Sequence, residues 1–491
     1  MNSKEELLKL FEGKLKGRRL IVASNREPYI HKYDEDKVKW IRPASGLVTG
    51  LDPVLRTCKG VWVATGSGDA DKEVVDVNDR IMVPPNKPSY HLRRVWLNKK
   101  QENGFYYGIA NKTFWPLCHI AHVRPEFNKD DWNEYVKVND KYARAIVDEA
   151  GNSKALIWIQ DYHLALCAKF IKERNPNLVV GQFWHIPWPN PEAFRICPWK
   201  NEILEGLLAN DLLGFHIKYH CDNFINTVDL NLESKIDRDT SCIIRKKHRT
   251  CIKPFPISID FKELAEKAHS PEVDAALKEI KKKIRKPYKF LAVGIDRMDY
   301  TKGIPERLMA IDRFLEKYPS YKKKFVYLGI GVPSRSLIKE YKDLADRISS
   351  LVEDINWKHR TDDWQPIIYR KEHINLEEIL AYYREASLLM VSSLHDGMNL
   401  VAKEFLAAQS RSPEGMLILS QFTGAARELP DAVLINPYDT ERFADAIKYG
   451  LELPKKEKVK RMKKLIETVK EHDIYAWASS FISELQKHMK T

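Results

Sequence analysis

The sequence predicts an α/β protein in two halves, each a mostly parallel sheet covered by helices on both faces. Three observations predict it. Short apolar runs rich in β-branched residues recur at 20–23, 60–64, 156–159, 179–184, 212–215, 290–293, 324–328, 388–391, 417–419 and 432–435, with helical patterns between them. The alternation breaks once, at 253–260 (KPFPISID), where two prolines flank an extended piece and a Lys- and Glu-rich helical stretch follows. The 491 residues also suit two large domains or three small ones, at about 100–200 residues each. The break therefore marks the junction of an N-terminal domain over 1–255 and a C-terminal one over 256–455, with charged amphipathic helices over 456–491 expected to cross back to the first. Two such Rossmann-like domains would face each other across a deep cleft. Ligands in these sheets bind beyond the carboxyl ends of strands, so the residues that follow each strand come first in the search for function.

Composition removes several alternatives. Apolar residues are 44% and charged residues 30% of the chain, an ordinary globular balance that excludes disorder and fibrous repeats. The longest apolar runs, such as 388–392, fall far short of the span of about 20 residues that a bilayer needs, so no segment is expected to cross a membrane. The formal charge of +13 favours anionic ligands, phosphates and nucleotides among them, without choosing one. The densest basic cluster, Lys281, Lys282, Lys283, Arg285 and Lys286, lies in a helical run beside Glu279 and reads as a solvated face. The seven cysteines (Cys58, Cys118, Cys167, Cys197, Cys221, Cys242, Cys251) are odd in number, scattered and without C-x-x-C spacing. They imply a reducing, cytoplasmic setting and no structural zinc.

Taken in order, residues 1–19 are charged throughout and lack the apolar core of a signal peptide, which predicts a short surface helix before the first strand. Ser24, Asn25 and Arg26 follow that strand. Residues 27–41 alternate apolar and charged side chains around Asp34-Glu35-Asp36, the pattern of a hairpin able to close over the cleft. RPASGLVTG (42–50) then leads through Gly46 into a helix, and glycine there permits close approach of backbone to a phosphate. The strand in WIQDYHL (158–164) delivers Asp161 and His163 to its carboxyl end, and the proline-rich WHIPWPNP (184–191) reads as a rigid scaffold turn.

In the second half VGIDRMDYTKGIP (293–305) ends a strand and sets Arg297 and Lys302 in one loop before a helix. Two cations beside a helix N-terminus suit a diphosphate; an Arg paired to Asp296 or Asp299 for loop stability is the alternative. SSLHDGMNLVAKE (392–404) repeats the arrangement. Asp396 stands where a carboxylate meets sugar hydroxyls or caps a helix, the N–H groups of Asn399 and Leu400 open the helix, and Glu404 lies within reach of a ribose. The chain has no G-x-x-x-x-G-K-[ST] loop, kinase signature, nucleophile elbow or D-x-D-x-T phosphatase loop, and no aromatic-basic interleaving of the RNA-binding type.

These strings together resemble the trehalose-6-phosphate synthase family, retaining glycosyltransferases with the GT-B fold. The match runs from Ser24 to about Lys448 through DYHL, HIPWPNPE, LEGLLANDLLGFH, GIDRMDYTKGIPER, HDGMNLVAKEFLAAQ and Asn436-Pro-Tyr-Asp-Thr. The resemblance implies that Arg297 and Lys302 hold a donor diphosphate with backbone help at Gly46, Asn399 and Leu400. It gives the donor glucose to Asp396 and His163, the ribose to Glu404 and the base to a pocket near Ile374. For the acceptor, glucose 6-phosphate, it implies Arg26 and Arg335 at the phosphate, with Tyr106, Trp115 and a weaker candidate, Trp62, around the sugar. The reaction implied keeps the anomeric configuration and needs no metal or other cofactor. A nucleotide sugar is expected as donor, UDP-glucose first and GDP- or ADP-glucose as alternatives. No nucleic acid or membrane partner is implied, a homo-oligomer is left open, and a separate phosphatase would complete trehalose because the chain ends at Thr491 without room for one.

The chain departs from the family where many relatives carry a second glycine (Ser45 here), His (Gln160), Phe (Ile109) and Arg (His395). Glu27-Pro-Tyr also resembles the glucosylglycerol-phosphate synthases, which makes glycerol 3-phosphate the alternative acceptor. A catalytically silent sugar-phosphate sensor and a nucleic-acid binder are the readings from other classes.

Overall fold

The computed structural model describes residues 3–43, 46–152, 154–283, 288–335 and 337–489. The chain forms two compact units, Met1–Ile257 with Ile474–Thr491, and Ser258–Asp473.

The strands of the first unit are β1 (Leu20–Arg26), β2 (Ile30–Asp34), β3 (Lys37–Ile41), β4 (Val61–Thr65), β5 (Arg80–Val83), β6 (Tyr90–Val95), β7 (Leu156–Gln160), β8 (Val179–Phe183), β9 (Leu212–Phe215), β10 (Lys235–Asp237), β11 (Cys242–Arg245) and β12 (His248–Pro254). Ten of them make one sheet in the order β10-β11-β12-β9-β8-β7-β1-β4-β6-β5, while β2 and β3 pair as a separate hairpin. The middle of the sheet is parallel, with antiparallel strands at both edges. Strands such as β7 are buried along their whole length, which is why LIWIQ is a continuous apolar run and does not alternate. The strand order turns outward in opposite directions from the β1/β7 pair, so the carboxyl ends of β1 and β7 flank the crevice where such sheets bind ligands.

The second unit contains β13 (Phe290–Arg297), β14 (Phe325–Val332), β15 (Ile367–Arg370), β16 (Leu388–Val391), β17 (Met416–Ser420) and β18 (Val433–Ile435). They form a parallel sheet in the order β15-β14-β13-β16-β17-β18, the doubly wound order whose switch point lies between β13 and β16.

Residues 456–491 divide between the units. The helix Lys455–Glu471 belongs to the second, while Ile474–Gln486 packs on the first sheet, its Trp477 and Phe481 rings each 4.8 Å from that of Trp158. The N-terminal helix Ser3–Glu12 precedes β1 with Leu7 buried. Between β6 and β7 the chain winds as a π-helix over Asn103–Phe114, a form that hydrophobic periodicity does not signal.

One expectation meets a different outcome. Cys242 and Cys251 are not thiols: they form a disulfide, because β11 and β12 pair antiparallel in a register that sets them directly opposite each other, Cα atoms 4.1 Å apart. The other five cysteines are free, and burial pushes the thiols of Cys58, Cys118, Cys167, Cys197 and Cys221 up. The basic cluster begins on the helix Pro271–Lys283, where Lys281 pairs with Glu385 and Lys282 with Glu279, each at 2.8 Å; 284–287 lie outside the described residues. Among the described residues no helix is long and apolar enough to cross a membrane.

Candidate active site

In the second unit the segments bearing Arg297, Lys302, Asp396, Asn399, Leu400 and Glu404 follow β13 and β16, the strands of the switch point, whereas Ile374 follows the edge strand β15. Arg297 closes β13 and is exposed. The chain then turns on Asp299, whose carboxylate accepts from the Thr301 amide at 3.1 Å and the Thr301 hydroxyl at 2.9 Å. Gly303 follows Lys302 at φ +59°, and a Cβ there would lie 2.1 Å from the Ser392 carbonyl oxygen, so glycine is required both by conformation and by space. The helix Ile304–Lys317 starts at this turn, its first amides opening toward Lys302.

Beyond β16, Asp396 is pinned by backbone bonds, its amide donating to Phe422 at 3.1 Å and its carbonyl accepting from Gly424 at 3.1 Å. Asn399 sits at φ +82° and caps the helix Leu400–Ala408 by accepting from the Ala402 amide at 3.2 Å. Lys302 Nζ donates to Asp396 Oδ2 at 2.5 Å, and Asn399 Nδ2 donates to the same oxygen at 3.2 Å. The sequence assigns Lys302 and Asp396 to different parts of a donor, whereas the structure joins them as an ion pair, each side chain less than 15% exposed. Glu404, on the same helix, is pushed up to about 7 by burial, with the Tyr383 hydroxyl opposing the shift. Ile374 lies half-buried in the loop after β15.

Arg335 departs from the expected picture of a cation presented to an acceptor phosphate. Its side chain is 5% exposed, donates to Asp299 Oδ2 at 3.1 Å and also meets the Tyr341 hydroxyl. Burial would raise the Asp299 carboxyl, but Arg335, Arg297 and Lys302 together hold it below the usual range.

In the first unit Arg26 ends β1, exposed. Trp62, the weaker acceptor candidate, is fully buried on β4 and donates to Ser24 Oγ at 2.8 Å. It is a core residue that holds the end of β1, and this corrects its assignment. Glu27 is equally internal. It accepts from Arg94 Nε at 2.9 Å and from the amide and hydroxyl of Ser67 at 2.8 Å, with burial pushing its carboxyl up against Asp71. Gly46 opens the helix Gly46–Cys58, which is tied to the preceding loop by Arg42 and Asp52 at 3.0 Å, whereas Ser45 lies outside the described residues.

His163 follows β7 by way of Asp161, which adopts φ +70°, ψ 175°, a region that costs a non-glycine residue about 1–3 kcal/mol. The Asp161 carboxylate accepts from the amides of Tyr162 at 2.9 Å and His185 at 3.2 Å, and its Oδ2 lies 3.9 Å from His163 Nδ1. Tyr106, from the π-helix, stacks on His163 with ring centres 6.0 Å apart and planes 10° apart. Trp115 is 6% exposed and packs on His119 and Tyr162.

One member of this cluster, His185, reads from sequence only as part of a scaffold turn. It follows β8, and its Nε2 lies 2.9 Å from Gln160 Oε1; burial, with His163 nearby, lowers its pKa to about 3, so the imidazole is neutral. Its position at a strand's carboxyl end is the signal that marks it, obscured by the prolines that follow.

Known proteins bear on this arrangement. A trehalose-6-phosphate synthase of Mycolicibacterium smegmatis is 35% identical over 475 residues, 95% of this chain and 92% of the relative. A UDP-forming α,α-trehalose-phosphate synthase from Burkholderia xenovorans, solved in complex with glucose 6-phosphate, superposes with a TM-score of 0.85 at 28% identity, covering 95% of this chain and 100% of the other. The structure described as trehalose-6-phosphate from E. coli bound with UDP-2-fluoro glucose gives 0.84 at 29%, covering 96% and 99%. These likenesses give the chain the GT-B fold. The sequence profile of glycosyltransferase family 20 matches residues 18–487, and the chain belongs to that family.

Proposed function

We propose that this glycosyltransferase transfers glucose from UDP-glucose to glucose 6-phosphate with retention, forming α,α-trehalose 6-phosphate. The observation that carries the reading is the β13/β16 switch point, where Arg297, Lys302, Asp396 and the amides that open the helix Leu400–Ala408 meet. Arg297 and Lys302 face the donor diphosphate, with the N–H groups of Gly46, Asn399 and Leu400 on its oxygens. Asp396 and His163 orient the glucose, Glu404 accepts from the ribose hydroxyls, and Ile374 lies against the base. Arg26 binds the acceptor phosphate, Arg335 joins it by turning from Asp299, and Tyr106 and Trp115 lie beside the sugar.

The C1–O bond to the diphosphate breaks while the acceptor oxygen bonds to C1 on the same face, and a diphosphate oxygen takes the acceptor's proton. Arg297 and Lys302 stabilise the charge that develops on the leaving group, the role a metal ion plays in other transferases. For Asp396 to reach glucose hydroxyls, Lys302 must turn from it to the diphosphate. The ion pair thus keeps both groups close to where each acts. These substrates suit a cytoplasmic enzyme and a separate phosphatase for its product, whereas the Cys242–Cys251 disulfide runs against that compartment.

The test is nucleotide release from UDP-, GDP- and ADP-glucose, each with glucose 6-phosphate or glycerol 3-phosphate, with the product's configuration read by NMR. Release that requires glucose 6-phosphate and yields an α,α-linked product is expected. Release only with glycerol 3-phosphate would transfer the chain to that acceptor, although Glu27 and Tyr29, the residues behind the alternative, are buried and bonded to Arg94 and Asp52.

Glu404 makes the donor site pH-dependent. Its carboxyl sits at about 7, and only the ionised form accepts from both ribose hydroxyls. Donor KM is expected to rise roughly tenfold between about pH 8 and pH 6, as ionisation falls. In Glu404→Gln the slope should vanish; an unchanged slope would assign it to another group.

A further inference from the structure

We infer that Arg307, which touches no substrate, is the positioning residue of the donor site; the inference rests on the roles proposed for Arg297, Lys302 and Asp396. Arg307 lies in the first turns of the helix Ile304–Lys317 and is 1% exposed. Its guanidinium divides its donors among β13, β14 and the segment that follows β16. Nη2 donates to Asp296 Oδ2 at 2.6 Å, Nε to Ser392 Oγ at 2.9 Å and Nη1 to Tyr327 Oη at 3.0 Å.

Two of these three partners lead directly to the site. Asp296 is the residue before Arg297, at the end of β13. Ser392 follows β16, four residues before Asp396, and its hydroxyl donates to the Gly303 carbonyl at 2.8 Å with the Lys302 carbonyl at 3.1 Å. The turn that carries Lys302 is held from the other side as well, by the Leu394 amide donating to the Thr301 carbonyl at 2.7 Å. One buried cation therefore ties together the strand end bearing Arg297, the turn bearing Lys302 and the strand end leading to Asp396. The third partner, Tyr327, lies in β14 opposite Ala292, five residues short of Arg297 on β13, and neither it nor the rest of β14 carries a residue assigned to the donor.

The sequence makes room for this arrangement. A Cβ on Gly294, in the middle of β13, would lie 2.0 Å from Arg307 Nη1 and 2.4 Å from Tyr327 Oη, so the strand glycine is the space the guanidinium occupies. A buried charge of this kind is a poor source of stability but a good means of specifying one geometry, since displacing any arm leaves a desolvated charge or polar group without its bond. Phosphate-site geometry matters because cations misplaced by about 1 Å lose much of their effect on the transition state.

The experiment compares Ser392→Ala and Tyr327→Phe in the full chain, each removing one arm while leaving the Arg307–Asp296 pair, with Arg307→Lys and Lys302→Ala alongside. Melting temperature, kcat, donor KM and UDP affinity are measured for each. Ser392→Ala is expected to lower kcat about tenfold or more while UDP affinity changes less than threefold. Tyr327→Phe is expected to lower the melting temperature comparably and keep kcat within twofold. Arg307→Lys, which keeps the charge but not the three-way fork, should follow Ser392→Ala in kcat. If kcat per folded molecule instead falls equally in Ser392→Ala and Tyr327→Phe, or in neither, the positioning role is overturned. Lys302→Ala separates the two proposals: full activity there would remove the donor-site reading itself, whereas loss there with wild-type kcat in Ser392→Ala would remove only the inference about Arg307.

Discussion

Replacing Arg297 by alanine is expected to lower kcat by about 100-fold or more, the usual consequence of losing one positioned donor to a developing negative charge. The variant is a clean probe because Arg297 ends β13 in solvent, so its removal opens no cavity, and because its neighbour Asp296 has a separate partner in Arg307. Melting temperature should stay close to that of the unaltered protein. Arg297→Lys restores the charge but not a planar fork, and recovers only part of the rate. Initial rates at saturating acceptor provide the check. Activity within about threefold of the unaltered enzyme would take the diphosphate away from Arg297.

The second large effect concerns the acceptor. Arg26→Ala is expected to raise the KM for glucose 6-phosphate by about 10- to 100-fold with little change in kcat, since a charge-assisted bond to a phosphate contributes about 1.5–3 kcal/mol and acts equally in ground and transition states. Arg26 is exposed at the end of β1, which again separates binding from folding. Arg335 offers the contrast. Its guanidinium is buried against Asp299, so Arg335→Ala leaves a buried carboxylate without that partner and should lower the melting temperature as well as acceptor affinity. Steady-state kinetics with varied glucose 6-phosphate, alongside thermal melts, distinguish the two. An Arg26→Ala enzyme with unchanged acceptor KM would remove that residue from the phosphate site.

Much of the fold and of the candidate site is legible in the amino-acid sequence. The strand runs mark the parallel sheets because strands buried on both faces are continuously apolar, and because parallel neighbours require a helical crossover between them. The rule that ligands lie beyond strand ends then selects Arg26, His163, Arg297 and Asp396 from among many polar residues. The same rule applied to His185 includes it too. The edge strands β5, β10 and β11 and the π-helix with Tyr106 are not legible in this way, since short antiparallel edges and a wide helix leave little periodic signal.

The sequence by itself determined the class of fold, the ends of the principal strands and the loops in which the chemistry lies, because period, chain turns and helix starts are set by residues within a few positions of one another. Tertiary structure alone decided which charges pair. Lys302 finds Asp396 across 94 positions, Arg335 finds Asp299 across 36, Arg94 reaches Glu27 across 67, and Cys242 meets Cys251 only through the register of two strands. It also decided that Trp62 serves the core and that Gly294 leaves room for Arg307. Such pairings depend on strand order and on side-chain reach at distances of about 3 Å, and those are properties of the assembled sheet that no local stretch of sequence contains.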